Sequence, residues 1–144
     1  MIYRGTIDGL LTLLVCQRSL KTRYAQPPTG NLRFKLPQPY IAEEGIYDVS
    51  EMFKVMCPQF DDLEGIPKGQ EDCLFLNVYI PDTAFNNKKK LPVMVYLHGG
   101  ALYAGSNNFN EYGPQHFMER DVIMVTVNYR LGPLGYTIHV CIIL

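Results

Sequence analysis

The stretch that decides the fold is Pro92–Ala101, PVMVYLHGGA, in which an apolar run ends abruptly at a histidine and two glycines. A second run of the same kind occupies Val122–Val127 and ends at an asparagine. Runs that are apolar on both faces predict strands buried between two layers, as at the centre of an α/β sheet. We therefore predict strands at Val93–Leu97 and Val122–Asn128, adjacent and parallel, because a right-handed crossover joins such strands.

Secondary structure can also be predicted for three further segments of the sequence. Glu71–Pro81, EDCLFLNVYIP, is rich in aromatic and β-branched residues and ends at a proline, which predicts a third strand at Leu74–Ile80. Tyr112–Arg120 lies between the two apolar runs and predicts a short helix. Tyr24–Pro39 contains four prolines and one glycine, so it favours extended chain with turns and excludes a helix. The order strand, loop, short helix, strand indicates an α/β fold.

The composition of the chain excludes some classes of function. The 144 residues suffice for one domain, and 47% hydrophobic residues fit a globular protein. The net charge of −1 leaves no basic field for nucleic acid. No run of 18 apolar residues occurs, so we predict no membrane span. The short apolar run Leu10–Cys16 predicts a strand, because Asp8 and a poor cleavage site leave no clear signal peptide.

The cysteines and histidines indicate no metal site. None of the four cysteines stands at C-x-x-C spacing, and the three histidines do not cluster with them. A bridge between Cys57 and Cys73 would enclose 15 residues, which the chain-entropy model values at roughly 3 kcal/mol. Free buried cysteines explain the cysteine count equally well.

The residues with chemical potential are His98-Gly99-Gly100-Ala101, directly after the first central strand. Glycines there allow positive φ and let a substrate approach the backbone amides. Successive N–H groups that face one concavity bind anions, and each donor to a tetrahedral oxyanion contributes about 10²–10³ in rate. An ordinary strand-to-loop turn accounts for the same residues.

Four blocks together resemble the carboxylesterase type B family, which includes cholinesterases and insect-type esterases. They are YAQPPTGNLRFKLPQP, EDCLFLNVYIP, PVMVYLHGGA and VIMVTVNYRLGPLGY, in the family's order, and they span residues 24–136. The resemblance implies the N-terminal part of an α/β-hydrolase mixed sheet. It also implies a serine esterase mechanism acting on small-molecule carboxylic esters, no metal or organic cofactor, and secretion to the extracellular space.

The resemblance assigns roles to particular residues. In the family the oxyanion hole consists of backbone N–H groups that correspond to Gly100 and Ala101, with Gly99 shaping the turn. Many members have a third glycine where Ala101 stands, but the alanine amide is intact. In the family, a third donor is the backbone N–H group of the residue after the nucleophile. This sequence does not contain that residue.

Two structural pairings follow from the same resemblance. The family's first disulfide corresponds to Cys57 and Cys73. A structural ion pair corresponds to Arg33 and Glu71 and ties the proline-rich loop to the strand.

The family's catalytic triad has no counterpart in these 144 residues. The nucleophile belongs in G-x-S-x-G, and none of the serines has glycines at both flanking offsets; they are Ser19, Ser50 and Ser106. Neither His98 nor His116 matches the catalytic histidine. We therefore expect one partial domain over residues 1–144, with divergent ends at 1–23 and 137–144, truncated before the nucleophile elbow. Such a chain is inactive alone and self-associates through an uncovered sheet edge.

Two alternatives remain open at this point. A non-catalytic cholinesterase-like adhesion or receptor ectodomain shares the fold and often keeps the H-G-G loop. A truncated isoform without activity is the other alternative.

Overall fold

The computed structural model describes residues 2–4, 16–41, 46–48, 55–61, 64–81, 84, 90–118 and 120–136. The strands are β1 (Ile2–Arg4), β2 (Cys16–Arg23), β3 (Ile46–Asp48), β4 (Gln59–Asp61), β5 (Ile66–Lys68), β6 (Phe75–Pro81), β7 (Val93–Leu97) and β8 (Ile123–Val127). The helices are α1 (Phe109–Tyr112), α2 (Gln115–Met118) and α3 (Gly132–Tyr136). The predicted strand at Leu10–Cys16, apart from Cys16 itself, and the divergent tail 137–144 lie outside the described residues.

The main sheet has four strands in the order β2-β6-β8-β7. Strand β6 is antiparallel to both β2 and β8, while β7 runs parallel to β8 with Val95 opposite Val125. The three predicted strands are confirmed, and each observed boundary lies within one residue of the predicted one. The mixed sheet confirms the predicted α/β fold.

Two small sheets accompany the main one. Strands β1 and β3 pair in parallel, and β4 and β5 form an antiparallel hairpin. The hairpin turns at Gly65, whose φ of +66° is the left-handed conformation that glycine adopts without strain. Gln59, at the start of this hairpin, contacts the loop that follows β7.

The core consists of two clusters. One lies on the sheet face that the short helices cover: Tyr79 and Met124 are buried there and pack with Met94, Tyr96 and Phe109. The other surrounds the proline-rich segment and comprises Ala25, Cys57, Cys73, Leu74 and Leu131. The second cluster holds the proline-rich segment against the start of β6 and the end of β8.

The opposite face of the sheet departs from the prediction. We expected Val93–Leu97 to be buried on both faces, but Val93, Val95 and Leu97 are 60%, 60% and 63% exposed. Side chains alternate across a strand, so these three share one face, and Met94 and Tyr96 share the other. Among the described residues, nothing covers the first face. We call the surface formed by Val93, Val95 and Leu97 the bare face.

The helical predictions need two corrections. The predicted helix Tyr112–Arg120 corresponds to the shorter α2, because Gly113 and Pro114 end the preceding helix and proline cannot donate a backbone hydrogen bond. That preceding helix, α1, was not predicted; the Asn108 side chain caps it by accepting a hydrogen bond from Asn110 N at 3.1 Å. The segment predicted to exclude helix contains one 3-10 turn at Gly30–Leu32. In the described part of the chain, no helix is long and apolar enough to cross a membrane.

Candidate functional site

The loop after β7, residues 98–105, contains the predicted oxyanion residues. Gly100, Ala101 and Leu102 have positive φ angles of +117°, +50° and +68°. The Gly100 carbonyl accepts hydrogen bonds from Tyr103 N at 3.1 Å and Ala104 N at 3.0 Å. A Cβ at Gly100 would lie 1.9 Å from the Ala104 oxygen, so this tight turn requires glycine there. We call residues 98–105 the oxyanion loop.

The free groups in this loop are backbone amides. Gly99, Gly100 and Ala101 are exposed, and their N–H groups donate no hydrogen bond to any residue in the described ranges. Gly99 has open space around its Cβ position and no positive φ, so the turn begins at Gly100 and continues through two residues that are not glycine. Successive backbone N–H groups in a turn can form a concavity that binds anions.

His98 has a structural position in this loop. It is 3% exposed, and its Nδ1 lies 2.7 Å from the Gly99 carbonyl, which can only accept, so Nδ1 carries the hydrogen. The ring stacks on Tyr129 with centroids 4.3 Å apart. The Tyr129 hydroxyl donates to the His98 carbonyl. Burial raises the pKa of Tyr129 above its ordinary value, so the phenol stays protonated and remains a donor.

A buried asparagine network fixes the chain directly after the oxyanion loop. Asn107 N donates to Asn128 Oδ1 at 2.7 Å, and Asn128 Nδ2 donates to Val55 O at 2.9 Å. Asn77 Nδ2 donates to Asn107 O at 3.1 Å. All three asparagines are at most 5% exposed. Sequence reasoning missed this network, although Asn128 directly ends an apolar run and was a visible signal.

Gln59 makes a further contact with the loop, and no sequence motif predicts it. Its Nε2 donates to Gly105 O at 2.9 Å, and Gly105 N donates to its Oε1 at 2.7 Å. Gly105 has a φ of +113°, and a Cβ there would lie 2.3 Å from His98 Nδ1. The backbone of Gly105 therefore fits between the Gln59 amide and the His98 ring.

The two predicted pairings are present in the structure. Cys57 and Cys73 form a disulfide with Cα atoms 5.0 Å apart, and both are fully buried. Arg33 Nε lies 2.7 Å from Glu71 Oε2, and this hydrogen-bonded carboxylate raises the pKa of Arg33. The Arg33 side chain is 43% exposed and that of Glu71 is 28% exposed, so the pair is a surface contact.

The remaining polar candidates lie apart from any recognisable triad. Ser106 is 6% exposed at the end of the oxyanion loop, whereas Ser50 lies outside the described residues and nothing is described of the Ser19 side chain. Within the described ranges, no group of three or more histidine, cysteine or acidic residues is placed to hold a metal ion. The groups that this site offers to a ligand are therefore backbone N–H donors.

Known proteins are similar to this chain in sequence and in fold. The sequence profile of the carboxylesterase family matches residues 16–139, a wider range than the four motifs cover. Para-nitrobenzyl esterase of Bacillus subtilis is 44% identical over 119 residues, which are 78% of this chain and 24% of that protein. Juvenile hormone esterase of Tribolium castaneum is 42% identical over 119 residues, 78% of this chain and 19% of that protein.

Solved structures agree with these matches. A thermophilic para-nitrobenzyl esterase superposes with a TM-score of 0.70 at 41% identity, over 81% of this chain and 24% of that one. Juvenile hormone esterase from Manduca sexta superposes with a TM-score of 0.71 at 37% identity, over 81% of this chain and 23% of that one. The chain spans about a quarter or less of the relatives it matches. It belongs to the carboxylesterase family, and its mixed sheet is part of an α/β-hydrolase fold.

Proposed function

We propose that this chain supplies the oxyanion hole of a carboxylic-ester hydrolase, with the N–H groups of Gly100 and Ala101 as its donors. One observation carries the proposal: the amides in the tight turn after a central strand point to no partner among the described residues. Family membership supports ester hydrolysis as the reaction, and each of the relatives named above is itself an esterase. Those names favour a hydrolase over an adhesion or receptor domain.

In the proposed reaction, a serine attacks an ester carbonyl and a histidine takes the serine proton. As the tetrahedral intermediate forms, the carbonyl oxygen becomes negatively charged. The two amides donate hydrogen bonds to that oxygen, and they need no reorganisation because the turn already holds them in place. The serine that attacks comes from outside these 144 residues, since the sequence contains no G-x-S-x-G.

The 144-residue chain by itself should therefore hydrolyse no ester. Enzymes that lose triad members retain only about 10³–10⁴ of rate over water, and that remainder needs an intact pocket. The bare face adds a second expectation. Three exposed apolar side chains along a strand at the edge of the sheet favour pairing with another chain, so we propose that the isolated chain self-associates.

We also propose an extracellular location. The buried Cys57–Cys73 disulfide persists in an oxidising compartment and is rare in the cytosol. To test this proposal, the protein is expressed once in the cytosol and once with secretion, and mass mapping of the peptides that contain Cys57 and Cys73 shows where the disulfide forms. Free thiols in secreted material would contradict it.

The direct test transplants the segment into a complete enzyme. We define the chimaera as the Bacillus subtilis para-nitrobenzyl esterase in which the matching segment of this chain replaces the enzyme's own. Active sites are titrated with an organophosphate, and hydrolysis of a nitrophenyl ester gives kcat per titrated site. We expect turnover within about tenfold of the parent enzyme. A folded chimaera whose serine is labelled but does not turn over would contradict the proposed oxyanion hole.

A further inference from the structure

We propose that Gln59 is a positioning residue for the oxyanion loop. This inference rests on the proposed function, because the loop matters for catalysis only if its amides hold the oxyanion. Gln59 lies 46 positions before Gly105 in the sequence, yet it binds both the N–H and the carbonyl group of Gly105. It touches no reacting atom and would act through the backbone it holds.

The Gln59 side chain uses its whole amide for this purpose. One Nε2 hydrogen bond goes to Gly105 O at 2.9 Å and another to Cys57 O at 3.1 Å, while Oε1 accepts from Gly105 N at 2.7 Å. Both N–H donors and the carbonyl acceptor are therefore occupied. A side chain bonded at all these atoms has one orientation.

The anchor for this side chain is rigid. Gln59 follows Cys57 by two residues, and the disulfide joins Cys57 to Cys73 in the buried cluster. Gly69 packs so closely that a Cβ there would lie 2.4 Å from Cys57 O. The β4–β5 hairpin adds backbone pairing, with Gln59 opposite Lys68. Gln59 thus connects the oxyanion loop to a segment that a disulfide, close backbone packing and strand pairing hold in place.

The contact reaches the oxyanion amides through short backbone steps. Gly105 directly follows Ala104, whose N–H, with that of Tyr103, closes the turn on Gly100 O. On its other side Gly105 meets the His98 ring, and His98 starts the loop. A shift of Gly105 therefore moves both ends of the turn that presents Gly100 and its neighbour.

Hydrogen–deuterium exchange of the 144-residue chain tests the positional part of the inference. In Gln59→Ala, we expect the amides of Tyr103 and Ala104 to exchange about tenfold faster, although neither touches Gln59. Amides of β6 should keep their rates, because the sheet itself is unaffected. Gln70→Ala is the matched control: it removes a glutamine whose Nε2 bonds Asp72 O at 2.9 Å, away from the loop. Unchanged exchange at Tyr103 and Ala104, or equal acceleration in β6, would overturn the inference.

Kinetics of the chimaera tests the catalytic part. In Gln59→Ala, kcat per titrated site should fall by about tenfold to a hundredfold, since a small misplacement of a catalytic group costs up to about 10²-fold. KM should change by less than about twofold, because oxyanion donors act in the transition state. Gln59→Glu keeps the size of the side chain but loses both donors, so it should show the same change without leaving a cavity.

The outcomes separate the two proposals. A merely structural role for Gln59 would lower the fraction of titratable sites and leave kcat per site unchanged, and this result would overturn the inference. An active unsubstituted chimaera that is insensitive to both Gln59 variants refutes only the positioning role. An unsubstituted chimaera that folds and is labelled but inactive refutes the proposed function itself.

Discussion

Substituting Gly100 by alanine is the sharpest perturbation of the oxyanion loop. The new Cβ would lie 1.9 Å from the carbonyl oxygen of Ala104 and 2.6 Å from its carbonyl carbon. Both are backbone atoms, so no change of side-chain rotamer relieves the overlap. The turn must therefore open and release the two hydrogen bonds that Gly100 O accepts.

The cost has two parts. A residue with a Cβ in the left-handed region loses about 1–2 kcal/mol, and two lost hydrogen bonds at about 0.5–1.5 kcal/mol each add about 1–3 kcal/mol. The closed conformation of the turn is therefore destabilised by about 2–5 kcal/mol. Because each 1.36 kcal/mol lowers the population of that conformation about tenfold, kcat should fall by at least about 30-fold. Global stability should change less, because this exposed loop can rearrange locally.

The assay is kcat per titrated site in the chimaera, with urea unfolding measured alongside. Gly30→Ala serves as the control, since Gly30 also has a positive φ, +52°, but has no atom within 4 Å of its Cβ position and lies far from the loop in sequence. We expect Gly30→Ala to leave kcat unchanged. A Gly100→Ala chimaera with kcat within about threefold of the unsubstituted protein would refute the reasoning.

Four further predictions concern stability and assembly. Reducing the Cys57–Cys73 disulfide should lower the free energy of unfolding by roughly 3 kcal/mol. A midpoint of urea unfolding that is the same with and without a reductant would contradict this. Asn128→Ala leaves buried backbone groups unpaired and should cost about 2–4 kcal/mol; a loss below about 1 kcal/mol by urea unfolding would count against the network. Val95→Lys places a charge on the bare face and should shift the isolated chain toward monomer in size-exclusion chromatography, whereas an unsubstituted chain that is already monomeric would refute self-association. Arg33→Ala removes an exposed pair and should leave the melting temperature unchanged within error, so a clear drop would show that the pair stabilises the fold.

Sequence reasoning located three of the four strands of the main sheet, because each of the three ends at a residue that interrupts an apolar stretch. The fourth strand, β2, has the polar sequence CQRSLKTR and was not predicted. Pro81, the last residue of β6, and the His-Gly-Gly after β7 set boundaries to within one residue. Exposure of the bare face could not be read in the same way, because an apolar run shows that burial is favourable but not which layer is present to provide it. The boundary between α1 and α2 was predictable, since Gly113-Pro114 is a strong helix breaker.

The site was predictable only in part. The glycine pair marked the oxyanion loop, but the left-handed Ala101 and Leu102 have no signature, because residues with a Cβ rarely adopt positive φ. Gln59 and Asn128 hold the loop across 46 and 21 positions, to Gly105 and to Asn107 respectively. Contacts of this kind depend on tertiary packing, and no spacing in the sequence specifies them.

The central claim is that a backbone N–H at position 101 stabilises the oxyanion, and one atomic replacement tests it most directly. Incorporating lactic acid in place of Ala101 in the chimaera converts that N–H into an ester oxygen and leaves the methyl side chain as it was. The predicted result is a fall in kcat per titrated site of about 10²–10³, the effect of one oxyanion donor, with little change in KM. An unchanged kcat in a fully titratable protein would contradict the claim.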